Sequence, residues 1–171
     1  MPPRPNAGSV RRTQLPIALA PILAAAMTAA AFAGGFALRV DGESGCIRLP
    51  LPDGGFDLSW MHSVERTRWR ETYSVGPGGE IVLTASAFAS AGAGLPDRIG
   101  DGERFVASGG EMRIVGRRVP VGVLRIRLSG VSRHILAAGG RTIDLNARFG
   151  EGVVTIRAEE VPTIRGKGGC R

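Results

Sequence analysis

Lysine is almost missing from this chain: Lys167 is the only one among 22 basic residues, so the high sequence pI of about 11.1 reflects arginine. Aromatic residues make up only 5% of the sequence. No basic cluster interleaved with aromatic residues occurs, which argues against a nucleic-acid surface. Cysteine appears twice, at positions 46 and 170, without the close spacing of a metal site. Histidine also appears only twice, as His62 and His134. Beyond Leu38 there is no long apolar run, no convincing helical period and no internal repeat, so a helical or repeat architecture is not expected. No phosphate-loop lysine or other cofactor signature is present, and no cofactor is expected.

The N-terminus has a different character. Arg4, Arg11 and Arg12 form a basic leader without acidic residues, followed from Leu15 to Ala33 almost entirely by alanine, leucine, isoleucine and proline. Ala31-Phe32-Ala33 supplies the small-x-small pattern of a signal-peptidase site, so residues 1–33 read as a signal peptide. Apolar character continues to Leu38, and an uncleaved anchor is the alternative, since about 20 residues span a bilayer. Export to the periplasm is expected, with inner-membrane anchoring if the leader is retained. Residues 34–45 read as a linker, 46–160 as the β domain and 161–171 as a flexible tail. The leader holds three of the 22 basic and none of the 15 acidic residues, leaving 19 against 15, a net charge of +4. Scattered arginines at that modest excess read as solvated strand faces.

The rest of the chain alternates in short runs punctuated by glycine and proline, the pattern of strands. Expected strands are Cys46–Leu51, Phe56–Val64, Trp69–Val75, Glu80–Phe88, Glu111–Val115, Val123–Leu128, Arg133–Ala138, Arg141–Leu145 and Gly152–Ala158. Turn signals such as Pro52-Asp53-Gly54-Gly55, Gly76-Pro77-Gly78-Gly79 and Ala138-Gly139-Gly140 separate them. The expected fold is all-β, an antiparallel sandwich or partly open barrel of about 8–10 short strands. Cys46 and Cys170 can form a disulfide in an oxidising compartment, closing nearly the whole domain into one loop. The glycines of Gly166-Lys167-Gly168-Gly169 argue against a fixed position for Cys170.

Chemistry concentrates in Trp60-Met61-His62-Ser63-Val64-Glu65, followed by Glu71. Period 2 puts Trp60, His62 and Val64 on one strand face and Trp69, Glu71 and Tyr73 on the corresponding face of the next. A four-residue loop over 65–68 would pair Val64 with Trp69, His62 with Glu71, Trp60 with Tyr73 and Leu58 with Val75. A histidine beside a carboxylate serves as a general base, a proton switch or part of a ligand site. Equally, it is a polar pair that satisfies itself. Ser63 points to the opposite face, so a Ser-His-Glu triad would need Ser86 or Ser90 from elsewhere. Metal binding has only His62, His134, Glu65 and Glu71 to draw on, and His134 reads as an ordinary sheet position. A second distinctive run, Ala91-Gly92-Ala93-Gly94-Leu95-Pro96-Asp97-Arg98, suits a bend between strands or a loop that cradles a small anion, with Arg98 supplying charge.

These residues carry a resemblance. The His62-Ser63-Val64-Glu65 motif, Glu71 and the Gly92-Ala93-Gly94-Leu95-Pro96 run resemble an uncharacterised bacterial family of short exported β domains, often encoded beside TAXI-type TRAP transporters. Where the family pattern has an aromatic residue before the first glycine of the second motif, this chain has Ala91. The resemblance covers Cys46 to about Ala158 and implies an accessory role near a solute transporter, with no activity attached. The functional expectation is therefore a non-catalytic periplasmic accessory or binding domain for a small organic anion, partnered by TRAP transporter subunits of the inner membrane. The alternative is an envelope hydrolase or metal-dependent enzyme using His62 and Glu71.

Overall fold

The computed structural model describes residues 35–89, 99–161 and Cys170. The leader, most of the tail and the run containing Gly92, Gly94, Leu95, Pro96 and Arg98 lie outside the described residues. Those described belong to one compact unit, Phe32–Arg171. Two antiparallel sheets face each other. One has four strands, β1 (Phe36–Gly42), β2 (Gly45–Leu51), β8 (Leu124–Leu128) and β11 (Gly152–Glu160), in the order β2-β1-β11-β8. The other has seven, β3 (Gly55–Met61), β4 (Arg68–Val75), β5 (Ile81–Phe88), β6 (Arg104–Ser108), β7 (Glu111–Pro120), β9 (Ile135–Ala138) and β10 (Arg141–Asp144), in the order β10-β9-β3-β4-β5-β7-β6. Both sheets stay open, so the expected all-β fold is a sandwich and not a barrel. Among the described residues no helix is long and apolar enough to cross a membrane.

Two strands escape the expected set. Residues 34–45, expected as a linker, contain β1, which pairs with β2 on one side and β11 on the other. Leu38 and Val40 are completely buried, so the apolar stretch that runs out of the leader ends in the sandwich core. β6 was masked in the sequence by its polar neighbours, and its five residues are all exposed. The core forms where alternate residues of the two inner faces interdigitate: Leu38, Leu49 and Ile156 from one sheet, Phe56, Leu58 and Leu136 from the other. The outer face of the four-stranded sheet accounts for several of the scattered arginines. There Arg48 bonds Glu159 at 2.8 Å, and Arg157 reaches both Asp41 and Glu159.

A single helical turn, α1 (Leu145–Phe149), replaces the expected end of the β10 strand. Asp144 caps it by accepting the Ala147 N–H at 3.0 Å, and Leu145 and Phe149 bury on its inner side. Five residues are too few to show a helical period, which explains why the sequence conceals it.

Cys46 and Cys170 are joined by a disulfide, with their Cα atoms 5.1 Å apart. Cys170 thus has a fixed place, which the glycines before it argued against; the rest of the expected tail beyond Val161 lies outside the described residues.

Candidate functional site

The hairpin between β3 and β4 decides where the motif goes, and its register differs from the expected one. Trp60 pairs with Trp69, Leu58 with Glu71 and Phe56 with Tyr73. β3 stops at Met61, whose N–H is taken by the Ser132 carbonyl at 2.6 Å, and the connection is six residues long, not four. His62 closes that loop with its backbone, donating to the Thr67 carbonyl at 2.9 Å and accepting the Arg66 N–H at 2.8 Å. Arg66 takes the left-handed conformation this turn requires, with φ 52°. The partner of each residue moves by four positions, an even number, so every side chain keeps the face it was assigned. The expected cross-strand contact of His62 with Glu71 is replaced by a separation of about 13 Å along β3, counted from the Leu58 rung to His62 at a strand rise of roughly 3.3 Å.

Rings from adjacent strands line up on the new register. Trp60 lies against His134 on one side and Trp69 on the other, with centroids 6.0 and 6.3 Å away. Trp69 in turn contacts Phe88 and carries the His62 imidazole at 5.0 Å. On the opposite side of Leu58, Phe56 and Tyr73 stack at 4.8 Å.

His62 and Glu71 nevertheless share a cleft. It lies where the β8 edge of the smaller sheet faces β3 and β4, with a volume of about 370 Å³. Leu58 and Trp60 line one wall, Leu124 and Ile126 the other, and Ser63, Arg125 and Arg127 also border it. The other polar residues of the lining are His62, Glu71, Tyr73, Ser132 and His134. His62 Nδ1 accepts the Glu65 backbone N–H at 3.4 Å, which leaves the Nε2 side of the neutral ring carrying the proton. Glu65 therefore shapes the loop through its main chain. Glu71 accepts a hydrogen bond from the Tyr73 hydroxyl, two residues along the same strand face. Burial, and then the bond and charge of Glu71, push the Tyr73 phenol far above its ordinary value.

His134 is held by α1 and the turn before it. Its N–H donates to Asn146 Oδ1 and its carbonyl accepts the Leu145 N–H, both at 2.9 Å. Asn146 also donates to the Ser129 carbonyl at 2.8 Å, tying the 129–133 turn to the helix. Burial lowers the His134 pKa, favouring the neutral ring. A second polar group lies behind Glu71. Ser86, directly across from it on β5, is buried and accepts a 2.7 Å hydrogen bond from Arg117, which also pairs with Glu103 at 3.1 Å. The β5–β7 pairing slips across Gly116, Arg117 and Arg118. Gly116 sits at φ 80°, and a Cβ there would stand 2.6 Å from the Gly102 carbonyl oxygen, so the irregularity that presents Arg117 depends on glycine.

His62, Ser63 and Glu71 line one cleft, whereas the sequence reading set Ser63 on the opposite face and His62 directly across from Glu71; it also missed Tyr73 as the partner of Glu71 and His134 as a member of the cleft lining. The i, i+2 spacing of Glu71 and Tyr73 on one strand face was the available signal. For His134 there was none, because its place depends on α1. Among the described residues, the one grouping with metal-ligand spacing is Asp41 with Cys46 and Cys170, and those two sulfurs are bonded to each other.

Fold and cleft together define an antiparallel β-sandwich domain with a polar slot between its sheets. The chain belongs to the family described as Domain of unknown function (DUF1850), whose model matches residues 56–145. That span runs from β3 through β10 and includes every residue lining the cleft. No curated protein and no solved structure matches the chain.

Proposed function

We propose that the protein is an exported, non-catalytic accessory domain that binds a small organic anion in the cleft between its sheets and serves a TRAP-type uptake system of the inner membrane. The observation that carries this reading is the cleft itself, which gathers the motif residues His62, Ser63 and Glu71 beside an apolar wall and two arginines. A slot with apolar walls and few convergent polar groups is the usual form of a small-molecule site. Binding is favoured over catalysis because the two groups best suited to proton transfer are engaged separately: His62 Nδ1 with the loop backbone, Glu71 with Tyr73. The transporter connection draws its support from the motif resemblance, and export from the leader.

In-cell crosslinking of the tagged full chain, followed by affinity purification, tests the partner. Transporter subunits are expected with the native chain and are expected to be lost with His62→Ala at equal abundance. Recovery of both forms alone would overturn the accessory role.

A further inference from the structure

The two edges of the four-stranded sheet are not alike. β2 carries Pro50, which has no N–H to offer a neighbour, and is tied to Cys170 through Cys46. β8, at the other edge, has neither proline nor bulge. It pairs in continuous register with β11 alone, and among the described residues no backbone hydrogen bond reaches its free side. In an antiparallel ladder the N–H and C=O groups of alternate residues point away from the partner strand, so β8 presents a row of them.

The free side of β8 is also the mouth of the cleft. The consecutive residues Leu124, Arg125, Ile126 and Arg127 all border it, although they alternate between the inner and outer faces, so the cleft runs along the main chain of the strand. Leu124 and Ile126 belong to the inner face, with Leu58 and Trp60 as the opposite wall. Arg125 and Arg127 are exposed on the outer face. Their cross-strand neighbours on β11 are Thr155 and Val153, so no carboxylate stands opposite either of them. The larger sheet continues past this edge. β2 lies at the β9–β10 turn, where Gly139 approaches Pro50, and β8 faces β3 and β4, so β5, β7 and β6 extend beyond it. A strand added to β8 would therefore have a sheet beneath it.

We infer that the free edge of β8 takes an extended segment of a partner protein as a fifth strand, with apolar residues at alternate positions turned into the cleft and acidic residues between them beside Arg125 and Arg127. This goes beyond the small-anion reading and does not depend on it. Main-chain hydrogen bonds supply the attraction in such strand addition, and the alternate side chains supply the selectivity. A second copy of this chain is a poor occupant, because joining two β8 edges with their outer faces together sets arginine beside arginine.

Anisotropy titration of the full chain with a labelled, end-capped peptide of alternating glutamate and valine tests it. The native chain is expected to bind this peptide at least about tenfold more tightly than the same peptide with arginine in place of glutamate. Arg125→Glu combined with Arg127→Glu, both at exposed positions, is expected to reverse that order. Two further peptides, N-methylated on the glutamates alone or on the valines alone, separate strand addition from simple charge attraction. Since only alternate residues bond an edge, one is expected to lose at least about tenfold in affinity and the other to stay within about twofold. Equal effects of the two methylation patterns, or a preference for glutamate that survives the double charge reversal, overturn the inference. Failure of the unmethylated glutamate–valine peptide to bind the native chain also overturns it and leaves the small-anion reading standing.

Discussion

Tyr73 donates its hydroxyl to Glu71 from two residues away on the same strand, inside the cleft and against the stacked ring of Phe56. The pair joins the core to the site, because the Tyr73 ring is core and its oxygen is cleft. Tyr73→Phe keeps the ring packing and leaves the carboxylate without its donor. The expected loss is about 1.5–3 kcal/mol, the range for a hydrogen bond to a charged group, read from urea denaturation. A loss below about 0.5 kcal/mol would show that solvent already satisfies Glu71.

Tyr73 is the sole tyrosine, so its ionisation is directly visible in the ultraviolet. Its pKa is raised by burial and by Glu71, so the folded chain holds the phenolic proton at pH values where the unfolded chain, near 10, releases it. Between those two values the native state binds more protons, and stability falls as pH rises. Spectrophotometric titration is expected to show no phenolate until the protein unfolds. A reversible step near pH 10 with the fold intact would contradict the buried bond.

His134 works in the opposite direction. Burial lowers its pKa, so below about pH 6.5 the unfolded state takes up a proton that the native state refuses. Its contribution is present at neutral pH and is lost as pH falls. Comparing the native chain with His134→Phe between pH 7.5 and 5 is expected to show the steeper decline in the native chain, by up to about 1.4 kcal/mol per pH unit. Parallel curves would place the imidazole in contact with water.

The disulfide closes a loop with a sequence separation of 124 residues. In the chain-entropy account such a crosslink stabilises by up to about 5 kcal/mol. Cys170→Ser, or reduction of the native chain, is expected to lower the thermal midpoint substantially. An unchanged midpoint would show that the bridge does not restrict the unfolded ensemble.

Gly139 and Gly140 form the β9–β10 turn, and both have positive φ, 54° and 72°. A Cβ on Gly139 would fall 2.1 Å from the Pro50 carbonyl oxygen of β2, whereas one on Gly140 meets nothing within 4 Å. Gly140→Ala is expected to cost about 1–2 kcal/mol for the left-handed backbone alone. Gly139→Ala is expected to cost more, since it also pushes the two sheets apart. Equal losses in thermal or urea unfolding would contradict the close approach.

Alternation of apolar and polar residues, with turn signals between, was enough to determine an all-β fold and most of its strands, because period 2 is imposed by the pleat whatever the neighbours. The same period put His62, Glu71 and Tyr73 on one face, an assignment that survived a register shift of four. Tertiary structure alone decided the rest. The β3–β4 register followed from a backbone loop closed by His62 and from the Ser132 carbonyl capturing Met61, a bond between segments about 70 residues apart in the chain that no local pattern encodes. β1 was hidden by the apolar leader it continues. His134 became part of the site only because a one-turn helix and an asparagine clamp its backbone, and Arg117 faces inward only because a glycine permits the irregularity in β7. Local sequence specifies which face a side chain takes; which side chains then meet depends on long-range pairing, and the cleft is made of such meetings.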